Sequence, residues 1–354
     1  MEPTRKLFVV ITLALAATFG VLACEESDIG SSDGDDDDGA ADADTDADSD
    51  ADADADADGD GDSDSDADAD SGCDKVDILF VIDNSGSMME EQENLIANFE
   101  GFIQAIEEYQ VGGTGGQLDY HVGVISTGVD HAECAPFFGC TPEEEEDGVL
   151  QNAPVGNDGD CTPPPLKYIV GPGDDVADQF ACIAELGVSG FAEEMPLEAI
   201  RRGMTTGPSA QDGNDDGHID DENEGFLRSD ALFVALIITD EDDQSRADTY
   251  PESFQEDFSW DEGAADLDLY IDEYLKIKPS YEYMVFGLIA GPPDQSCSSD
   301  YGGASSAPRL HEFLEMVGSE NVAAANICDE DLAGAFATML DTIELACDEM
   351  PPIE

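Results

Sequence analysis

Two stretches restrict the fold of this chain more than any others. Val76-Asp-Ile-Leu-Phe-Val-Ile82 and Ala231-Leu-Phe-Val-Ala-Leu-Ile-Ile238 are short, almost continuously apolar and rich in β-branched residues. A run of that kind suits a strand covered on both faces, the usual state of strands in a parallel α/β sheet. Each run ends abruptly in polar oxygen chemistry: Asp83-Asn-Ser85-Gly-Ser87 after the first, Thr239-Asp240-Glu241-Asp242-Asp243 after the second. Open α/β sheets bind ligands outside the carboxyl ends of their strands. Asp83, Ser85 and Ser87 offer one carboxylate and two hydroxyls at alternate positions, all hard donors suited to Mg²⁺ or a similar cation.

The intervening segments fit the same architecture. Leu95, Ile96, Phe99, Phe102, Ile103 and Ile106 recur at helical spacing and predict an amphipathic helix from Glu90 to Tyr109, ended by Gly112-Gly113. Tyr120–Ser126 reads as a strand, with His121 in it as a structural or surface histidine rather than a ligand. Helices are expected over 174–186, 197–204, 310–317 and 332–345, with strands over 283–290 and 321–327. Residues 129–172 break this rhythm, with Cys134, Cys140, Cys161, an acidic run and three consecutive prolines from Pro163. They are expected to form a long, stapled insertion.

The chain carries 86 acidic residues against 11 Lys and Arg, a formal net charge of -75. A field of that sign repels polyanions, so nucleic acid is excluded as a partner. Metal cations and basic partners fit the charge. Nine cysteines with no Cys-x-x-Cys pair and only four histidines argue against zinc and thioredoxin-like chemistry, leaving disulfides in an oxidising compartment.

The N-terminus supplies that location. Arg5 and Lys6 precede an apolar core, Leu7–Ala17, too short to span a bilayer comfortably. Val21-Leu22-Ala23-Cys24 then resembles a bacterial lipobox, which makes 1–23 a signal peptide and Cys24 the lipidated residue. An ordinary secretory signal is the alternative. Lipidation leaves eight cysteines for pairing: Cys73, Cys134, Cys140, Cys161, Cys182, Cys297, Cys328 and Cys347. Residues 25–72 are an Asp/Ala-rich tract with little to bury and strong self-repulsion, and a disordered tether is expected. Fully extended, it would reach on the order of 160 Å. Glu25 after the lipidated Cys accords with the outer membrane of a bacterial envelope.

Two further stretches have motif-like spacing. Asp212, Asn214, Asp216 and Asp220, with Gly217 between them, follow the spacing of a calcium loop, although Asn223 stands where a Glu is usual. An acidic surface turn is the alternative. Gly187-Val-Ser189-Gly190 lacks the spacing of a nucleophile elbow, so a serine hydrolase is not expected.

The Asp83-x-Ser85-x-Ser87 loop between a buried strand and an amphipathic helix, with a later strand ending in Thr239-Asp240, resembles the von Willebrand factor type A domain. The resemblance spans about 73–350. It implies a doubly wound, mostly parallel central sheet flanked by helices, and a metal-ion-dependent adhesion site. Asp83, Ser85, Ser87 and Asp240 match the family's metal positions, and Mg²⁺, or Mn²⁺ or Ca²⁺, is the implied ion. The family normally adds a Thr; here Glu194 stands closest to that offset, with Glu193 and Ser189 nearby. The implied function is a tethered, non-enzymatic binding module for a protein partner, whose acidic side chain completes the metal's coordination. A structural envelope scaffold is the alternative. In this fold the termini adjoin, which implies a Cys73–Cys347 bridge; Cys297 with Cys328, and pairings among Cys134, Cys140, Cys161 and Cys182, stay open.

Overall fold

The computed structural model describes residues 72–111, 116–129, 146–153, 161–191, 193–206, 217–245, 266–299, 302–318, 320–329 and 332–352. The signal peptide, Cys24, nearly all of the acidic tract, Cys134, Cys140 and Asp212–Asp216 lie outside them.

In chain order the elements are β1 (Lys75–Ile82), α1 (Met89–Glu108), β2 (Gln110–Val111), β3 (Gly116–Gln117), β4 (Asp119–Ser126), β5 (Ile169–Gly171), α2 (Val176–Ala184), α3 (Pro196–Met204), a helical turn His218–Asp220, β6 (Leu232–Ile238), α4 (Leu267–Tyr274), β7 (Met284–Ala290), β8 (Cys297–Ser299), β9 (Gly302–Ala304), α5 (Pro308–Val317), β10 (Val322–Asn326) and α6 (Ala333–Glu349). The main sheet runs β10-β7-β6-β1-β4-β5. All its pairings are parallel except β4 with β5.

The two apolar runs are β1 and β6, side by side at the centre. Alternation in β1 sends Val76, Ile78, Phe80 and Ile82 to one face and Leu79 and Val81 to the other. The first face packs against α1, α2 and α6 through Phe99, Phe180 and Phe336; the second packs against α3, α4 and α5 through Leu197, Tyr270 and Phe313. The protein is therefore a mixed α/β fold with a mostly parallel sheet covered by helices on both faces. From β1 the chain first moves towards β4 and later returns to place β6 on the other side. The ends of β1 and β6 thus flank a reversal of strand order, where an open sheet forms a crevice.

Three details lay beyond the pattern reading. The tail of the 129–172 insertion supplies β5, a three-residue antiparallel edge strand. β2–β3 and β8–β9 are two-residue and three-residue hairpin pairings too short to give a periodic signal. Asp77, inside β1, is fully buried and held by Arg228, whose Nε and backbone N–H donate to it at 2.7 and 2.6 Å. His121 packs beside this pair, with Nδ1 2.8 Å from the Phe226 carbonyl. Burial lowers its pKa, so the neutral ring donates from Nδ1. This ion pair lies towards the amino ends of the strands, away from the acid loops.

Disulfides join Cys73 to Cys347, Cys161 to Cys182 and Cys297 to Cys328. The first ties Cys73, two residues before β1, to the last turn of α6 across 274 positions, reinforced by Cys73 N–H donating to the Cys347 carbonyl at 2.9 Å. Closing so long a loop removes much unfolded-state entropy, and native bridges of this kind contribute roughly 2–5 kcal/mol. The paired substitution Cys73→Ser with Cys347→Ser is expected to lower the melting temperature by about 5–15 °C, given ~2–4 °C per kcal/mol for a domain of this size. Differential scanning calorimetry of the two proteins checks this.

Candidate metal centre

The strand register brings the acid loops together. Ile82 pairs with Ile238, and Asp83 N–H donates to the Ile238 carbonyl at 3.0 Å. Asp83 therefore leaves β1 in the same layer as Thr239 and Asp240 leave β6. Its Oδ1 accepts from Ser85 N–H at 2.7 Å and its Oδ2 from the Thr239 hydroxyl at 2.7 Å. These bonds bend the loop so that Ser85 Oγ and Ser87 Oγ lie 3.3 Å apart. Gln92, in the first turns of α1, donates to the Asp83 and Gly187 carbonyls, both at 2.9 Å, and ties this loop to the one before α3. Gly190 continues that tie by donating to the Asn84 carbonyl; a Cβ there would lie 2.1 Å from Asn84 Oδ1 and would displace that side chain.

Asp240 reaches the same place from β6. Its carboxyl accepts from Ser87 and lies against that of Asp83. Glu194 enters from the third side, just before α3. Its Oε2 accepts from Thr127 Oγ1 at 2.8 Å, and its acidic neighbours are Asp83, Glu241 and Asp240. The five residues singled out as metal positions, Asp83, Ser85, Ser87, Glu194 and Asp240, thus converge. Glu193 and Ser189 share the Glu194 loop, and Ser189 is exposed on it.

Glu91, Thr127 and Thr239 were missed as parts of this site. Glu91 lies in the first turn of α1, four residues beyond Ser87 in the loop that leads into the helix. It is buried, and Asp240 acts on its charge. The Ser87-to-Glu91 spacing was the available signal; Thr127 and Thr239 were flagged only by standing at strand ends.

The electrostatics are one-sided. Burial first, then repulsion by Asp83, raises the Glu194 carboxyl to about 10. Burial, with Asp83 nearby, raises Asp240 to about 6, and burial with Asp240 raises Glu91 to about 7. Asp83 is also raised, by burial. The principal charged neighbours of all four are other acids. Glu194 Oε1, Asp240 Oδ1 and Glu91 Oε2 are buried with no hydrogen-bond partner. Each such oxygen costs about 1–3 kcal/mol or more when charged. A cluster of hard oxygen donors with orphaned, buried carboxylate oxygens fits a divalent cation.

The other acids after β6 have different tasks. Asp242 accepts from Arg309 N–H and Leu310 N–H at the start of α5. Asp243 accepts from Leu197 N–H, in the first turn of α3, and pairs with Arg309 Nε at 2.8 Å. Acids at helix N-termini satisfy first-turn amides and complement the helix dipole. The run from Asp240 to Asp243 thus delivers Asp240 to the cluster, sets Glu241 near Asp83 and Glu194, and gives Asp242 and Asp243 to the helices framing it.

Beside the cluster lies a cleft of about 710 Å³ between α1 and residues 185–190. Glu93, Glu146 and Glu185 line it together with Met89, Ile96 and Val188. Asn84, from the metal loop, forms part of its wall and donates to Glu146 at 2.8 Å.

A second group is separate. His218, Asp221 and Glu222 place ligating atoms within 4.8 Å of one another and could hold a metal ion. His218 Nδ1 lies 3.2 Å from Glu222, and Nε2 lies 3.3 Å from Asp147. Asp220, the described residue of the expected calcium loop, is exposed on the adjoining helical turn. Asn223 is not a ligand there: its side chain donates to the Gly148 and Gly203 carbonyls and accepts from Leu150 N–H.

No protein-family model and no curated protein matches the chain. Among solved structures it is similar to proximal thread matrix protein 1 from the mussel byssus, crystal form 2, at 13% identity and a TM-score of 0.37. That match covers 77% of this chain and 48% of the mussel chain, so the chain spans less than half of that protein. A likeness of this degree assigns neither family nor function.

Carboxyls with raised folded-state pKa values favour the neutral form, so their contribution is intact below the ordinary carboxyl range and is lost as pH rises through the folded values. For Asp240, Glu91 and Glu194 that loss begins above about 4 and passes through about 6, 7 and 10. In chelator, the melting temperature is therefore expected to fall between pH 5 and pH 8, and Glu194→Gln is expected to flatten the fall. Saturating Mg²⁺ or Ca²⁺ should counter it at pH 8. A fall of equal size in both proteins, with or without cation, contradicts the assignment.

Proposed function

We propose that this protein is an envelope-tethered interaction module of the von Willebrand factor type A class, which holds a divalent cation at the ends of β1 and β6 and through it binds a protein partner. The observation that carries the reading is the convergence of Asp83, Ser85, Ser87, Glu194 and Asp240, with buried oxygens of Glu194 and Asp240 left without partners. The central placement of β1 and β6 and the helices on both sheet faces support the class. The tether is the lipid on Cys24 and the acidic tract to residue 72, in a bacterial, outer-membrane setting. No helix among the described residues is long and apolar enough to cross a membrane.

The protein's own residues have distinct roles in this reading. Ser85, Ser87, Glu194 and Asp240 present donors, while Asp83 gives its oxygens to Ser85 N–H and Thr239 and fixes the loop's shape. A bound cation would supply an open coordination position for a group on the partner. Mg²⁺ is the ion implied by the resemblance, with Mn²⁺ and Ca²⁺ as alternatives. Three carboxylates exceed the charge of one divalent ion, so an acidic group on the partner meets residual repulsion. The carboxylates of the neighbouring cleft add to it. A partner segment that offers a neutral oxygen to the cation, with basic groups facing the surrounding carboxylates, fits the charge better than the Asp or Glu implied by the resemblance.

A scaffold role is the second reading, favoured by three disulfides that brace the domain and its hairpin. Titration calorimetry of the full chain with Mg²⁺, wild type against Asp83→Ala, tests the cation site, since both proteins carry the same acidic tract. Loss of at least about tenfold in affinity is expected, in line with removal of a group that orients metal ligands. Equal binding by both proteins sinks the reading. If Asp83→Ala lowers thermal stability but leaves membrane-fraction association and chelator-resistant partner capture unchanged, the scaffold role replaces it.

A further inference from the structure

His218 has acids on both sides of its ring. Nδ1 lies 3.2 Å from Glu222 Oε2 and 3.9 Å from Asp221 Oδ1, while Nε2 lies 3.3 Å from Asp147 Oδ2. The histidine is buried, with 8% of its surface exposed, whereas Asp221 and Glu222 are open to solvent. A neutral imidazole carries one N–H, so it satisfies only one of these two acid-facing nitrogens. The other turns its lone pair towards carboxylate oxygen unless a cation stands between them. Local charge favours a divalent one. Arg202 pairs with Asp147 and Glu198, and Arg201 pairs with Glu198, so two guanidiniums face two carboxylates. Asp221 and Glu222 add two more negative charges beside His218. A proton on the ring offsets one of them; a divalent ion offsets both.

The loop is fixed at both ends. A Cβ on Gly217 would lie 2.1 Å from the Thr205 carbonyl oxygen, so the backbone here packs directly on the end of α3. Asn223 N–H donates to the His218 carbonyl at 2.8 Å, and its side chain donates to the Gly148 and Gly203 carbonyls. Asp147 approaches from the tail of the insertion with φ 73°, a left-handed conformation that Asp tolerates better than most side chains.

We propose that His218 Nδ1, Asp221 and Glu222 form a second metal site, for Zn²⁺ or a similar transition ion, with Asp147 accepting from Nε2–H behind the ring. Zn²⁺ takes nitrogen and carboxylate oxygen at about 2.0–2.2 Å, which separates neighbouring tetrahedral ligands by roughly 3.3–3.6 Å. The 3.2 and 3.9 Å separations from Nδ1 bracket that span. An imidazole nitrogen suits such ions better than Mg²⁺ or Ca²⁺. A carboxylate on the far nitrogen is the common support of a metal-bound histidine, because it fixes the tautomer and the ring's orientation. Few histidines exclude a multi-histidine centre, but this site needs one imidazole, and its exposed side leaves the fourth position to water. It is independent of the strand-end cluster: Glu194 stands just before α3 and Gly217 packs against its other end, with nine helical residues between. That is a span of roughly 13–14 Å.

The test is titration calorimetry of the full chain with ZnCl₂ in excess MgCl₂, which competes for the hard-oxygen sites and the acidic tract. Wild type is compared with His218→Ala, Glu222→Gln, Asp147→Asn and Asp83→Ala. His218→Ala and Glu222→Gln are expected to weaken the tightest Zn²⁺ event by more than about tenfold, and Asp147→Asn by about tenfold, the scale of a lost group behind a metal ligand. Glu222 is exposed, so its substitution leaves the packing intact. Asp83→Ala is expected to bind Zn²⁺ like wild type. Unchanged Zn²⁺ affinity in His218→Ala and Glu222→Gln overturns the proposal; a lowered melting temperature in His218→Ala beside it leaves the ring an ion-pair partner only. Loss of Zn²⁺ in Asp83→Ala with retention in His218→Ala places the ion at the strand ends and overturns it equally.

Discussion

The structure depends on a repulsion that it does not itself relieve. Asp83 and Asp240 leave adjacent central strands in one layer, Glu194 approaches from the loop before α3, and burial makes their mutual repulsion strong. Hydrogen bonds from Ser85, Ser87, Thr127 and Thr239 offset part of the cost, but orphaned oxygens stay buried. Three loops must be held against that repulsion. The surrounding architecture accounts for how this is done: Gln92 joins the β1 loop to the one before α3, and Gly190 N–H closes the same junction.

The stretch after β6 shows how one acidic run serves several ends. Asp242 and Asp243 occupy the N-termini of α5 and α3, on the second face of the sheet. Ser245 adds a bond to Glu198 N–H, and Glu198 in turn pairs with Arg201 and Arg202 inside α3. The segment that carries Asp240 is thus pinned by two helices whose own first turns it completes. Moving Asp240 would disturb both caps, so its position is inherited from helix packing as much as from β6.

The strands were legible because a strand covered on both faces must be apolar throughout, and β1 and β6 are. The same logic exposed Asp83 and Asp240, since an acid ending such a run stands out. Glu194 was reached only through the resemblance; nothing in its local pattern separates it from Glu193. Glu91 and Gln92 were read as the polar start of a helix, because periodicity reports which side of a helix is apolar and not that a loop will fold over its first turn. The Asp77–Arg228 pair joins residues 151 positions apart, and no local pattern links them. β5 is three residues long, beneath the length at which alternation carries meaning.

Placement of the disulfides completes the physical picture. Cys73–Cys347 closes the fold at the end where β1 begins, and Cys297–Cys328 fastens the hairpin against Glu91 and Asp240 at the other end of the sheet. A domain with a self-repelling centre gains from constraints that act on the unfolded chain, because these add stability without neutralising the charge. A covalent brace therefore permits a cluster of acids to remain poorly compensated within a folded domain. In the proposed reading, a bound cation would gain affinity from the repulsion it removes, and by linkage it would stabilise the fold according to its concentration relative to its Kd. On that reading, the acids that destabilise the domain by themselves would be the source of its affinity for a cation.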